Sequence, residues 1–239
     1  MTVRKHLPLI GMLTLFGLLA LLLLMPLGFA AKAMGVSARH SQGTIMSGAL
    51  RDASLGGVRI GDVNARLTIL PLFTGKMGFA LQRGVAPQTP GISGSVGKGF
   101  GGIYADQLTA TVDGKGLIKG LDGGQLHFET FSFAFSGGKC ANASGVVRLS
   151  LDESVLDAVV PGGMIGNAEC RKGDLVLPLM SQSTMERALV RIKADGSYQL
   201  TLSILEPAPV MAAALGLSGF QPVAGGFRLV RSGRLNSRL

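Results

Sequence analysis

The chain has no tryptophan, two tyrosines and aromatics at only 5% of its residues. A core built on tryptophan is excluded, and most strands must bury aliphatic side chains. Acidic residues are also scarce, 14 against 23 Lys and Arg, so the formal charge is +9. No pair of carboxylates is placed for acid–base work, since Asp113, Asp122 and Asp195 fall in turns. The three histidines stand apart: His6 and His40 flank the first apolar run, and His127 alternates with Leu126 and Phe128 on a solvent-facing phase. No P-loop, G-x-S-x-G or H-E-x-x-H is present. G-x-G-x-x-G occurs at Gly97–Gly102, but strand-like residues from Ile103 follow it. Dinucleotide motifs need a helix there, so this is read as a glycine loop. These absences argue against an enzyme and against any cofactor or metal.

Charge is missing altogether between Lys5 and Lys32. The run Leu7–Ala31, about 25 residues, would span about 37 Å as a helix, and a bilayer core needs about 20 residues. Leu7, Leu15, Phe16, Leu22, Leu24 and Ala31 are its lipid-facing candidates, and no polar face interrupts it. Pro26 and Gly28 are placed to kink or end it. Arg4 and Lys5 in front weakly favour a cytoplasmic N-terminus, with the rest of the chain exported. Gly28-Phe29-Ala30 and Ala31-Lys32-Ala33 also resemble cleavage sites, so a removable signal peptide is the rival. The length of the run favours an uncleaved anchor.

Two cysteines, Cys140 and Cys170, have no histidine near them and no C-x-x-C spacing. In an oxidising compartment a disulfide is the natural use, and two separate buried thiols are the alternative. Closing such a loop would stabilise the fold by roughly 3.5 kcal/mol. Nucleic acid is one partner for a basic chain, and anionic headgroups another. The cations are scattered except at Arg228, Arg231, Arg234 and Arg238, so the lipid surface is preferred and nucleic acid is not expected.

What is abundant is glycine, 36 residues, in short turns between alternating segments. Val63, Ala65, Leu67 and Ile69 alternate with polar residues, a half-buried strand. Lys76–Gln82 and Ser144–Leu151 are further strands, and Asp152–Val160 starts as a helical turn. Leu126 and Phe128 are even, while Phe131, Phe133 and Phe135 are odd, which requires a bulge near Glu129-Thr130. Asp174–Ser181 is extended, and Pro178 suggests an edge strand. Around Asp195-Gly196, only a three-residue loop with Gly196 left-handed pairs Ile192 with Tyr198 and Val190 with Leu200. Val210–Leu217 is a short helix, Phe227–Val230 a last strand.

The predicted fold is mainly β: one N-terminal transmembrane helix, then a mostly antiparallel curved sheet with one or two short helices. The divisions are 1–34 for the cytoplasmic N-terminus and anchor, 35–231 for a periplasmic β-rich domain with a possible sub-boundary at 87–91, and 232–239 for a disordered basic tail. Val63, Leu67, Ile69, Phe131, Phe133 and Phe135 form the candidate apolar face.

Three stretches carry a resemblance. They are SQGTIMSGALRDASLGGVRIGDVNARLTILPLFTGKMGFAL after the apolar run, ASGVVRLSLD with GNAECRKGDLVLPL, and RIKADGSYQLTLSI. Together they resemble protein N of the bacterial type II secretion system, although many of its members carry tryptophan in the early strands. The resemblance implies a single-pass inner-membrane protein of a Gram-negative bacterium, its bulk in the periplasm. It also implies contact with other secretion-system subunits and a part in exporting folded proteins across the outer membrane. No catalytic residues carry over. The alternative is a periplasmic lipid-handling module whose apolar face cradles an acyl chain. An open groove would favour lipid, a face filled by its own side chains would not.

The anchor has a direct check. N-terminal sequencing of the mature protein should return the intact leader, and a start near Ala31 would remove the anchor.

Overall fold

The structure, a computed structural model, describes residues 12, 17, 24–33, 36–44, 46–55, 58–68, 76–83, 91–99, 101–113, 124–150 and 162–235. The chain is read N to C as strands β1 (Val36–Ser37), β2 (His40–Thr44), β3 (Ser47–Leu55), β4 (Val58–Thr68), β5 (Lys76–Arg83) and β6 (Ile92–Gly99). Then come β7 (Gly102–Asp113), β8 (Gln125–Ser136), β9 (Lys139–Ser150), β10 (Met164–Asn167), β11 (Glu169–Arg171) and β12 (Asp174–Met180). The last are β13 (Glu186–Ile192), β14 (Ser197–Leu205), β15 (Gln221–Val223) and β16 (Gly226–Arg234). Among the described residues two helices with full bounds join them, α1 (Leu27–Ala33) before β1 and α2 (Pro209–Leu217) between β14 and β15. Among the described residues all sixteen strands belong to one sheet, and consecutive strands pair antiparallel almost throughout. Period-two patterns and glycine turns specify such a meander locally, because each hairpin fixes only its neighbour's register.

β10 and β11 act as one strand with a break at Ala168. Both pair with β12, and the Ala168 N–H turns back to donate to the Gly145 carbonyl, 2.9 Å. Cys170 on β11 is disulfide-bonded to Cys140 on β9, with Cα atoms 5.6 Å apart. The bridge chosen from composition is therefore present.

The sheet is creased at bulges. Thr130 in β8 lies in the left-handed region, φ 47°, and the β8–β9 register shifts there. Gln107 in β7 does the same at φ 49°, as does Asp52 in β3 at φ 54°. Each bulge turns its own N–H away from the ladder, and a side chain of the adjoining strand accepts it. Asp52 donates to Asp62 Oδ1 at 2.9 Å, Gln107 to Ser132 Oγ at 2.9 Å and Thr130 to Thr109 Oγ1 at 3.4 Å. Across from Gln107 and Thr130 stand Gly94 (φ 136°) and Gly145 (φ 104°). A Cβ on Gly94 would lie 2.6 Å from Leu108 Cα, and one on Gly145 2.5 Å from Phe131 Cα. Bulges bend strands and raise their twist, so this row curls the sheet.

The hairpin adopts the register its phases demand. Ile192 pairs with Tyr198, Val190 with Leu200 and Arg191 with Gln199, around a loop with Gly196 at φ 78°. Past β14, Gly219 at φ 85° ends α2, and the Phe220 N–H donates back to Leu215 O, 3.1 Å. That cap turns Phe220 into the core beside Leu215.

Three expectations change. Pro178 is not at an edge: β12 lies between β10/β11 and β13, and Pro178 pairs with Leu189. It is tolerated because the pairing of β10/β11 with β12 lapses between Ile165↔Met180 and Glu169↔Val176, the interval in which Pro178 lies opposite Asn167. The edge with a proline is β15, whose Pro222 is exposed. The tail does not leave the sheet at Ser232, since Ser232 pairs with Gln199 and Arg234 with Ser197. Finally, Leu27–Ala31 does not continue the apolar run straight: Leu24 and Met25 turn, Pro26 bridges to Thr44, and α1 then packs on the sheet with Leu27 and Ala31 buried.

Among the described residues no helix is long and apolar enough to cross a membrane. Leu7, Leu15, Phe16 and Leu22 of the expected span lie outside them, as do Asp152–Val160 and Ile69. Residues 84–90 also lie outside, while β5 and β6 on either side pair directly.

The close approach at Gly145 gives a test. Gly145→Ala should destabilise the protein by about 2 kcal/mol or more in denaturant unfolding, through clash and positive φ together. Gly138→Ala is the comparison, because a Cβ there would meet nothing within 4 Å. A loss no greater at Gly145 would remove the crease as a packing constraint.

Candidate functional site: an apolar trough

Two clusters of buried side chains lie along the sheet. The first holds Leu27, Ala31, Leu50, Val63, Ala65, Phe79 and Ile92, with Leu67 packed on it. The second holds Leu126, Phe131, Phe135, Leu149, Leu177, Val190, Leu200, Leu202 and Leu229, with Phe133 packed on it. Leu108 touches both. The candidate apolar face is thus divided: Val63 and Leu67 belong to the first cluster, and Phe131, Phe133 and Phe135 to the second. Leu24 is exposed, and Ala31 packs against protein.

The second cluster is not filled. A cavity of about 220 Å³ lies between β8 and β14, reached by strands that curl round through β9, β10, β12 and β13. Its floor on one side is a ladder of rings. Phe128, Phe131, Phe133 and Phe135 follow one another at centroid separations of 4.9, 5.6 and 5.7 Å, tilted or edge-on. These are favoured aromatic geometries. Thr130 makes the ladder possible: without its bulge, Phe128 and Phe131 would face opposite sides. Facing the rings are Leu175, Leu177 and Leu179 from β12, Ala188, Val190 and Ile192 from β13, and Tyr198, Leu200 and Leu202 from β14. Period two places all of these on one face, and the β12–β13–β14 registers align them in rows.

The two ends differ. α2 follows β14 at one: Leu215 and Phe220 are buried in the same cluster as Ile204 and do not line the cavity. The other end meets the β13–β14 turn, where Lys193, Gly196 and Leu235 line the cavity together with Ile103, 47% exposed.

That turn is held by Asp195. Its Oδ1 accepts from the Ser197 hydroxyl at 2.6 Å and the Ser197 N–H at 2.9 Å, and Arg234 lies 3.4 Å from Oδ2. The Ser197 hydrogen bonds, aided by Arg234, lower the Asp195 carboxyl to about 2. Among the described residues no group of His, Cys, Asp or Glu is placed to hold a metal ion. His127 is bonded through Nδ1 to Thr111 Oγ1, 3.0 Å, away from the cavity. Gly97–Gly102 forms the β6–β7 hairpin rather than a strand-to-helix loop.

What the sequence did not reveal is the role of β12 and β13 in the trough. Leu175–Leu179 contains Pro178 and has apolar residues in both phases, so the edge reading hid a buried strand.

Because the Asp195 carboxyl is lowered in the folded state, its contribution is present above its ordinary value near 3.8 and is lost as pH falls toward 2. Carboxyl NMR titration should place its midpoint near 2, and Ser197→Ala should raise it. An unchanged midpoint in that variant would remove Ser197 as the cause.

A comparison with curated proteins and one with solved structures each return no match. The model of the family described as "Type II secretion system (T2SS), protein N" matches residues 34–230, which takes in the sheet from β1 to most of β16. The chain therefore belongs to the type II secretion system protein N family.

Proposed function

We propose that this protein is a non-enzymatic inner-membrane component of the type II secretion system that supports export of folded proteins through contacts made in the periplasm. The observation that carries this reading is the family match over residues 34–230. Two features support the placement. The uncharged run from Leu7 is long enough to hold the chain in the bilayer, and the Cys140–Cys170 disulfide suits an oxidising compartment. In this reading α1 sits where the chain leaves the membrane, with Phe29 exposed beside the buried Leu27.

The partners are other subunits of the secretion system, and the sheet offers an edge to them. β15 covers β16 only from Gly226 to Arg228, so beyond Arg228 the outer side of β16 has no strand partner among the described residues. That edge carries Val230 and the cations Arg231 and Arg234, and an acidic partner strand would suit it. The edge proposed from Pro178 is replaced by this one.

Deleting the gene in a strain with an active system should reduce exoprotein release to background while exoproteins accumulate in the periplasm. Undiminished release would refute the reading.

A further inference from the structure

We propose that the trough between β8 and β14 binds a single acyl chain with an anionic head group, tail inward and head at Lys193. This goes beyond a contact role in secretion. The argument begins with size. Hydrocarbon-lined cavities of about 150 Å³ stay dry and take apolar guests, whereas drug-sized ligands occupy about 300 Å³ or more. At about 220 Å³ and interior packing density the trough suits one alkyl chain of about nine or ten carbons and is too small for a whole two-chain lipid.

Polarity selects the class. The cavity is walled by Phe131, Phe133, Leu177, Val190 and Leu200, and its lining residues with a polar side chain are Lys193 and Tyr198, both beside the β13–β14 turn; the buried Ser181 does not line it. An inserted peptide strand would bring a row of N–H and C=O groups that find too few partners there, and burying them unpaired is costly. An alkyl chain brings none.

Orientation follows from the two ends. At the end of β14 that leads into α2, Ile204, Leu215 and Phe220 are buried in the cluster and do not line the cavity, so the tail is placed with its head away from that end. The open end has an apolar lip in Ile103, and the charged residue that lines the cavity there is Lys193, exposed and in no ion pair among the described residues. Arg234 close by is engaged with Asp195. A long lysine stem can follow the lip while its ammonium stays in water, where it meets a carboxylate or phosphate.

The test uses the full chain in phosphatidylcholine nanodiscs with a diazirine-bearing decanoic acid, irradiated and mapped by peptide mass spectrometry. Label is expected on 126–135 and 188–202. Ala188→Phe fills the cavity from β13 and should lower that label about tenfold. Lys193→Glu should lower it about threefold and leave labelling by the matching fatty alcohol unchanged. Lys193 is exposed, so this second variant decides the matter even if Ala188→Phe disturbs the fold. Label confined to the leading apolar run, or trough label that neither variant changes, would overturn the proposal. So would displacement of the label by an apolar strand-forming peptide in place of unlabelled fatty acid. Exoprotein release is a separate measurement, so either reading can fail alone.

Discussion

Where Gly145 passes the backbone of Phe131, the two strands approach too closely for any side chain between them. The same contact recurs between Gly94 and Leu108. These approaches exist because β7 and β8 each carry one residue more than their partners accommodate, and the surplus residue is turned to positive φ. Because antiparallel ladders transmit position from strand to strand, the irregularities lie in a row. It runs from Gly94 through Gln107, Thr130 and Gly145 to Ala168, and ends opposite Pro178. Remove the row and the strands would keep their pairing but lose the bend that turns Phe131 toward Leu200.

The bend also explains an economy in aromatics. With no tryptophan, the trough takes its large surface from phenylalanines placed on one strand. A one-residue slip normally exchanges the two faces of a strand. Here the slip is built in, and it keeps Leu126, Phe128, Phe131 and Phe135 on the same side. Polar residues at the bulges, Thr130, Gln107 and Asp52, are tolerated because their side chains point outward while neighbours satisfy their N–H groups.

Several elements were legible because a single phase rule decides them. The Ile192–Tyr198 register and the break near Glu129-Thr130 follow from alternation alone. The disulfide followed from compartment chemistry. Other features were not, for physical reasons. Gln107 and Asp52 carry no local signature of a bulge, since the polar residues around them fit either phase. Pro178 read as an edge because a missing donor has two explanations, solvent or a broken neighbour, and only the neighbour distinguishes them. Alternation shows that Val63 and Phe131 are inward, but not that they face different clusters. Leu27–Ala31 is as apolar as the residues before it, so composition could not separate a packed helix from a span. Of the trough, the Phe131–Phe135 wall was visible in the sequence and the β12–β13 wall was not.

The Cys140–Cys170 bridge joins β9 to β11 on either side of the stretch between them. Both cysteines sit in strands that are already hydrogen-bonded in the sheet, so the crosslink closes a covalent ring around residues 141–169. A proteolytic nick anywhere in that ring would leave the amino-terminal and carboxy-terminal fragments tethered, with β9 and β11 still fastened side by side. The fragments would migrate as one species until a reductant separated them.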